Sequence, residues 1–161
     1  MSLVDDLIKE GWLKTQRIID AFREIKREDF LPWEEKELAS VNEALPIGFG
    51  QTISQPLVVA FMLELLQPEA GERILDVGSG SGWTTALLAY IVSKQDKSKI
   101  RNPKSETKSM VIAIEIIPEL KEFGEKNVAK YNFIKKGVAE FVLGDGSRGY
   151  KKGAPYDKIL C

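Results

Sequence analysis

The 161 residues contain no histidine. That absence removes the side chain most used as a general base near neutral pH and the commonest metal ligand. Chemistry in this chain must rest on positioning, electrostatics or carboxylates, and no metal site is expected. A single cysteine, Cys161, excludes an intramolecular disulfide and fits a reducing, cytoplasmic setting. No apolar run reaches the ~20 residues that span a bilayer. The first residues, Met1 to Asp6, are acidic and lack the apolar core of a secretory leader. Neither charge sign dominates: 23 Lys and Arg stand against 24 Asp and Glu, so no global basic field argues for nucleic acid.

What is present suits one globular domain over residues 1–161. At 43% hydrophobic, the chain has enough apolar residues for a core. It is organised around Arg73-Ile74-Leu75-Asp76-Val77-Gly78-Ser79-Gly80-Ser81-Gly82-Trp83. An apolar strand turns through three alternating glycines and runs into a helix over 84–92. Such a turn leaves backbone N–H groups free at a helix N-terminus, a site for a polar or anionic part of a nucleotide-like ligand. The spacing is G-x-G-x-G, with Trp83 where the dinucleotide pattern G-x-G-x-x-G would place its last glycine. Asp-Val-Gly-Ser-Gly-Ser-Gly resembles the first motif of Rossmann-like methyltransferases that use S-adenosyl-L-methionine.

Residues 1–43 read as an N-terminal helical region. Leu3, Leu7 and Ile8 predict a helix closed by Gly11, and Ile18, Ile19, Phe22 and Ile25 predict a second over 15–25. Arg27 to Trp33 reads as a connector. Ala44 to Pro56, with two glycines and two prolines, predicts an irregular loop, and Ser54 or Gln55 is expected to cap the next helix. In that helix Val58, Val59, Met62, Leu65 and Leu66 are expected to form the buried face. Residues 93–109 read as a polar, lysine-rich insertion with six basic residues against two acidic ones. That balance fits either a solvated segment or a contact with acidic polypeptide or RNA.

Met110–Glu115 predicts a second strand and 118–131 a helix. Ala139–Leu143 predicts a third strand and Tyr156–Cys161 a fourth. The alternation implies an α/β fold: a parallel sheet with helices on both faces and the ligand at the carboxyl ends of the strands. Gly78, Ser79, Gly80, Ser81 and Gly82 would then offer donors and room. Glu115 could accept from two ribose hydroxyls. Asp145, beside Gly146, could accept from an adenine amino group or could simply form a turn.

Over most of its length the chain resembles the protein-L-isoaspartate (D-aspartate) O-methyltransferases. The resemblance is carried by Leu45-Pro46-Ile47-Gly48-Phe49-Gly50-Gln51-Thr52-Ile53-Ser54-Gln55-Pro56, by Ile74–Trp83 and by Ile114-Glu115-Ile116-Ile117-Pro118-Glu119-Leu120. Gly144-Asp145-Gly146, Ala154–Ile159 and Arg27-Glu28-Asp29-Phe30 add to it. It implies a Rossmann-like fold and S-adenosyl-L-methionine as cofactor. The implied substrate is an isoaspartyl residue in a damaged protein or peptide. Ser54 would occupy the active-site serine position. Gln51, Thr52 and Ile53 would line cofactor and substrate. Asp76, the glycine turn, Glu115, Ile116, Asp145 and Gly146 would hold the cofactor.

The chain departs from the family pattern in three places. Leu57, Val58 and Val59 stand where histidines often follow the Ser-x-Pro segment. The insertion at 93–109 is unusual. Family members also continue past the fourth strand, so the sheet is expected to be incomplete at its C-terminal end. Two other functions remain open: a methyltransferase acting on RNA or a small molecule, and a catalytically silent module that binds S-adenosyl-L-methionine.

Overall fold

The structure, a computed structural model, describes residues 2–94 and 110–161. The lysine-rich insertion therefore lies, from residue 95 onward, outside the described residues. The N-terminal part is α1 (Leu3–Lys9), α2 (Gln16–Glu24) and two 3-10 turns, Arg27–Phe30 and Trp33–Leu38. Ser2 starts α1 as a capping box with Asp5, and Gly11 turns the chain after it with φ 79°. Thr15 precedes α2, and Glu64 supplies the cap from a distance, accepting from the Lys14 and Thr15 amides at 2.8 Å each. Ile18, Ile19, Phe22 and Ile25 are all buried as their spacing predicts. Each such side chain contributes about 1.5–3 kcal/mol relative to exposure.

Next come β1 (Leu45–Gly48) and β2 (Gln51–Ile53), then α3 (Pro56–Leu66). The expected irregular loop is thus an antiparallel hairpin, with a bulge between Pro46 and Gly48. Its turn runs through Gly48, Phe49 and Gly50, all at positive φ. Proline hid this pairing, since a Pro in a run argues against a strand unless it lies at an edge or bulge. The buried face of α3 also differs from expectation. Val59, Ala60 and Leu63 are buried, whereas Val58 and Leu65 are exposed. The helix is apolar almost all round, so periodicity could not identify its inner side.

The central sheet has the order β5-β4-β3-β6, formed by β3 (Arg73–Val77), β4 (Met110–Glu115), β5 (Ala139–Leu143) and β6 (Lys158–Leu160). All pairings are parallel, with Val77 opposite Ile114 and Glu115 opposite Leu143. Two helices, α4 (Trp83–Val92) and α5 (Pro118–Ala129), connect strands and pack with Ile74, Val111, Ala113 and Phe141 in the main core. On the other face Leu75, Ile112 and Ile114 form a smaller core with Tyr150 and Tyr156. Single 3-10 turns at Gly146–Arg148 and Lys151–Gly153 lead into that cover. The Tyr156 hydroxyl ties it by donating to the Tyr150 carbonyl at 2.7 Å. This is a Rossmann-like α/β sheet flanked by helices, with long helices on one side and single turns on the other. Because the strands run parallel, the β3, β4 and β5 carboxyl ends reach one rim.

Candidate functional site

The glycine turn stands at that rim. Gly78, Gly80 and Gly82 have φ of 73°, 51° and 83°, a region that side chains with a Cβ rarely adopt. The Gly78 and Ser79 amides donate to the Ile114 carbonyl at 2.8 and 3.3 Å, which fastens the turn to β4. The Gly82 amide donates to the Ser79 carbonyl at 2.8 Å, and the Gly82 carbonyl starts α4 by accepting from Ala86. A Cβ on Gly82 would lie 2.8 Å from the Gly124 carbonyl oxygen, and one on Gly124 would lie 2.7 Å from that of Gly80. Glycine on both sides lets α5 meet the turn backbone to backbone. Asn127 of α5, itself buried, completes the contact by donating to the Ser81 carbonyl at 3.1 Å.

Above the turn lies a cavity of about 220 Å³. Thr52, Ile53 and Ser54 line it from the hairpin side, and Asp76 and Gly78 to Ser81 from the turn. Ile47 of β1 reaches the turn, its Cδ1 3.4 Å from where a Gly80 Cβ would stand. Ser79 is buried, and among the described residues its hydroxyl has no hydrogen-bond partner. Leaving such a group unpaired costs about 1–3 kcal/mol, so it calls for a polar ligand or water in the cavity. Among the described residues the Ser54 hydroxyl makes no hydrogen bond either, so it is not the helix cap that the sequence suggests. Gln55 occupies the cap position of α3, but its side chain makes no capping bond to the helix. Asn42 does the capping, its Oδ1 accepting from the Leu57 amide at 3.0 Å.

Asp76 lines the cavity from within the sheet. Its Oδ2 accepts from the Thr84 and Thr85 hydroxyls at 2.9 and 2.6 Å. Burial pushes its carboxyl up, those two hydrogen bonds oppose the shift, and nearby Glu115 adds to it. Glu115 is buried at the end of β4 and joins the turn directly. Its Oε2 accepts from the Gly80 amide at 2.8 Å, and its Oε1 from the Ile116 and Ile117 amides at 2.9 and 3.1 Å. Three of its roughly four acceptor positions are thus taken by backbone.

Asp145 sits next door, since the Gly144 amide donates to the Glu115 carbonyl at 2.9 Å. It caps the following turn through the Ser147 amide at 2.9 Å, and that backbone bond holds its carboxyl below the usual range. Ile116, directly after Glu115 in the chain, is exposed. The cavity therefore gathers Thr52, Ile53, Ser54, Asp76, Gly78, Ser79, Gly80 and Ser81. Glu115 is linked to it through Gly80. Gln51, Ile116, Asp145 and Gly146 stand outside its lining, and Gly82 faces α5 instead.

Sequence reasoning misses Asn42, Gly124, Asn127 and the two threonines as parts of this site. It also misses Arg27, which donates to the Ser54 carbonyl at 3.2 Å. Thr84 and Thr85 have a signal, since hydroxyls in the first turn of a helix after a buried strand acid can reach back to it. The others act from distant segments and have none.

The sequence model of the protein-L-isoaspartate(D-aspartate) O-methyltransferase family matches residues 1–161. A protein-L-isoaspartate O-methyltransferase of Staphylothermus marinus is 40% identical over 158 residues, 98% of this chain and 66% of that protein. One from Aeropyrum pernix is 40% identical over 99% of this chain and 55% of its own length. The chain thus spans between about half and two thirds of these curated relatives. A solved protein-L-isoaspartate O-methyltransferase superposes with a TM-score of 0.79 at 28% identity, covering 98% of this chain and 46% of that one. A match over the whole length, agreeing with a solved structure in fold, places this chain in the protein-L-isoaspartate(D-aspartate) O-methyltransferase family.

Proposed function

We propose that the chain takes part in methylating isoaspartyl carboxylates of damaged proteins and peptides, with S-adenosyl-L-methionine bound over the glycine turn. The observation that carries this reading is that the hairpin residues Thr52 to Ser54 and the turn residues Gly78 to Ser81 line one cavity. The residues fit the cofactor: an unpartnered Ser79 hydroxyl, a turn free of side chains at three positions, and an acid, Glu115, fastened to it. When bound, the cofactor supplies a methyl group on a positively charged sulfur that leaves as a neutral thioether. The receiving carboxylate is already ionised at neutral pH, given a reference value of roughly 3.9, so no base is needed. A chain without histidine is suited to this task.

Ser54 then donates its hydroxyl to orient the substrate carboxylate. Gln51, Thr52 and Ile53 border cofactor and substrate. Asp76 borders the cofactor beside the glycine turn, Glu115 with Ile116 holds its ribose, and Asp145 with Gly146 accepts from the adenine amino group. Among the described residues no helix is long and apolar enough to cross a membrane. With its single cysteine, the chain is read as working in the cytoplasm.

Calorimetry with S-adenosylhomocysteine, followed by methyl transfer to an isoaspartyl peptide and to its aspartyl counterpart, tests the proposal. Binding with transfer to the isoaspartyl peptide alone is expected. Binding with no transfer would favour a silent module, and transfer to RNA or small molecules instead would move the chain to another substrate class.

A further inference from the structure

Arg27 is 6% exposed, and among the described residues its charge meets backbone carbonyls rather than a carboxylate. Its Nη1 donates to the Ala39 and Val41 carbonyls at 3.3 and 3.0 Å. Its Nη2 donates to the Glu43 and Ser54 carbonyls at 2.7 and 3.2 Å. Its Cζ lies 5.3 Å from the centre of the Trp83 ring. Trp83 directly follows Gly82 and lines the same cavity as Ser54. One planar group therefore touches the segment 39–43, the backbone of Ser54 and the first residue of α4. Segment 39–43 also grips the other side of Ser54: the Asn42 carbonyl accepts from Gln55 Nε2 at 2.8 Å, and Asn42 Oδ1 from the Leu57 amide.

For stability alone this is a poor arrangement. Burial lowers the guanidinium to about 10, which still leaves it charged at neutral pH. Its Nε is buried and has no partner among the described residues. A buried charge without an opposite charge is unfavourable, and an apolar side chain could fill the space. What a guanidinium adds is a rigid plane of donors that can hold several carbonyls at set angles.

We propose that Arg27 is a positioning residue: it fixes the height of Ser54 over the glycine turn by holding the Ser54 carbonyl and segment 39–43 against Trp83. Its bearing on catalysis rests on the function proposed above. The hairpin has short strands and, among the described residues, forms a two-stranded sheet of its own, apart from the central sheet. Arg27 supplies a link that the sheet does not.

The test uses Arg27→Met and Arg27→Lys in the whole chain. In folded Arg27→Met, amide exchange over residues 39–55 should quicken about tenfold or more, while residues 78–82 keep wild-type protection. Affinity for S-adenosylhomocysteine should stay within about threefold. The kcat for an isoaspartyl peptide should fall about a hundredfold with little change in KM, as a ~1 Å misplacement can produce. Wild-type exchange over 39–55 in a folded variant would overturn the proposal. So would equal losses in ligand affinity and kcat. If Arg27→Met does not fold, Arg27→Lys, which keeps charge and stem but reaches fewer carbonyls, is read by the same criteria. If the unaltered chain transfers no methyl to the peptide, the functional reading fails, and the exchange comparison still decides whether Arg27 positions Ser54.

Discussion

The two sides of the cavity are held by different means. The glycine turn is contiguous with the strand and helix that position it, and its shape follows from three positive φ angles and a backbone contact with α5. The hairpin that carries Ser54 is held from outside, by Arg27 from 27 residues upstream and by Asn42. A turn set by its own torsions requires glycine at fixed places and leaves a visible pattern. A hairpin set by remote side chains leaves none. The turn side should therefore respond to substitution mainly through stability, and the hairpin side mainly through geometry.

The largest effect is expected on the turn side. Gly82→Ala forces a Cβ into the Gly124 carbonyl at a positive φ. Strain and overpacking together should lower unfolding free energy by about 3 kcal/mol or more, measured by denaturant titration. A loss under ~1 kcal/mol would mean that α5 and the turn can separate freely, and the contrast between the two sides would fail.

On the hairpin side, Ser54→Ala should reduce turnover on an isoaspartyl peptide by about tenfold to a hundredfold through lost orientation. Affinity for S-adenosylhomocysteine should hardly change, because the turn is untouched. Parallel losses in both would place Ser54 on the cofactor rather than the substrate. Asn42→Ala is smaller. Removing the cap of α3 should cost about 1 kcal/mol by thermal unfolding. Because Asn42 flanks the Ser54 segment, its effect on turnover should exceed that of removing an ordinary cap such as Ser2.

The smallest effect is a change in pH dependence at Asp76. Burial raises its carboxyl in the folded state above the unfolded value of about 3.9. Between those two values the native state binds the extra proton. This group's contribution is therefore most favourable below ~3.9 and declines as pH rises through the folded value. Asp76→Asn keeps an acceptor for the Thr85 hydroxyl and removes the titration, so stability against pH should lose that decline. An unchanged curve in the variant would mean that Asp76 does not titrate as its burial implies.

Much of the fold can be read locally. Met110–Glu115 and Ala139–Leu143 form strands over the residues their apolar runs mark, and α2 buries the face its spacing predicts. Positions on the turn are equally legible, since glycine alternation after a strand is a short-range demand on torsion. Where local reasoning goes astray, the deciding contact is distant. Pro46 disguises a hairpin, α3 is apolar on sides that only the packing can sort, and Ser54 gives up capping because Asn42 provides it.

Torsional preference, hydrophobic period and strand–helix alternation act between neighbours in the chain, so composition and order were enough for the sheet, its direction and the rim where the glycine turn stands. The height of Ser54 over the turn, the close approach of Gly124 and the three amides on Glu115 were decided by folding alone. Each depends on atoms brought together in space, and no local pattern encodes that meeting.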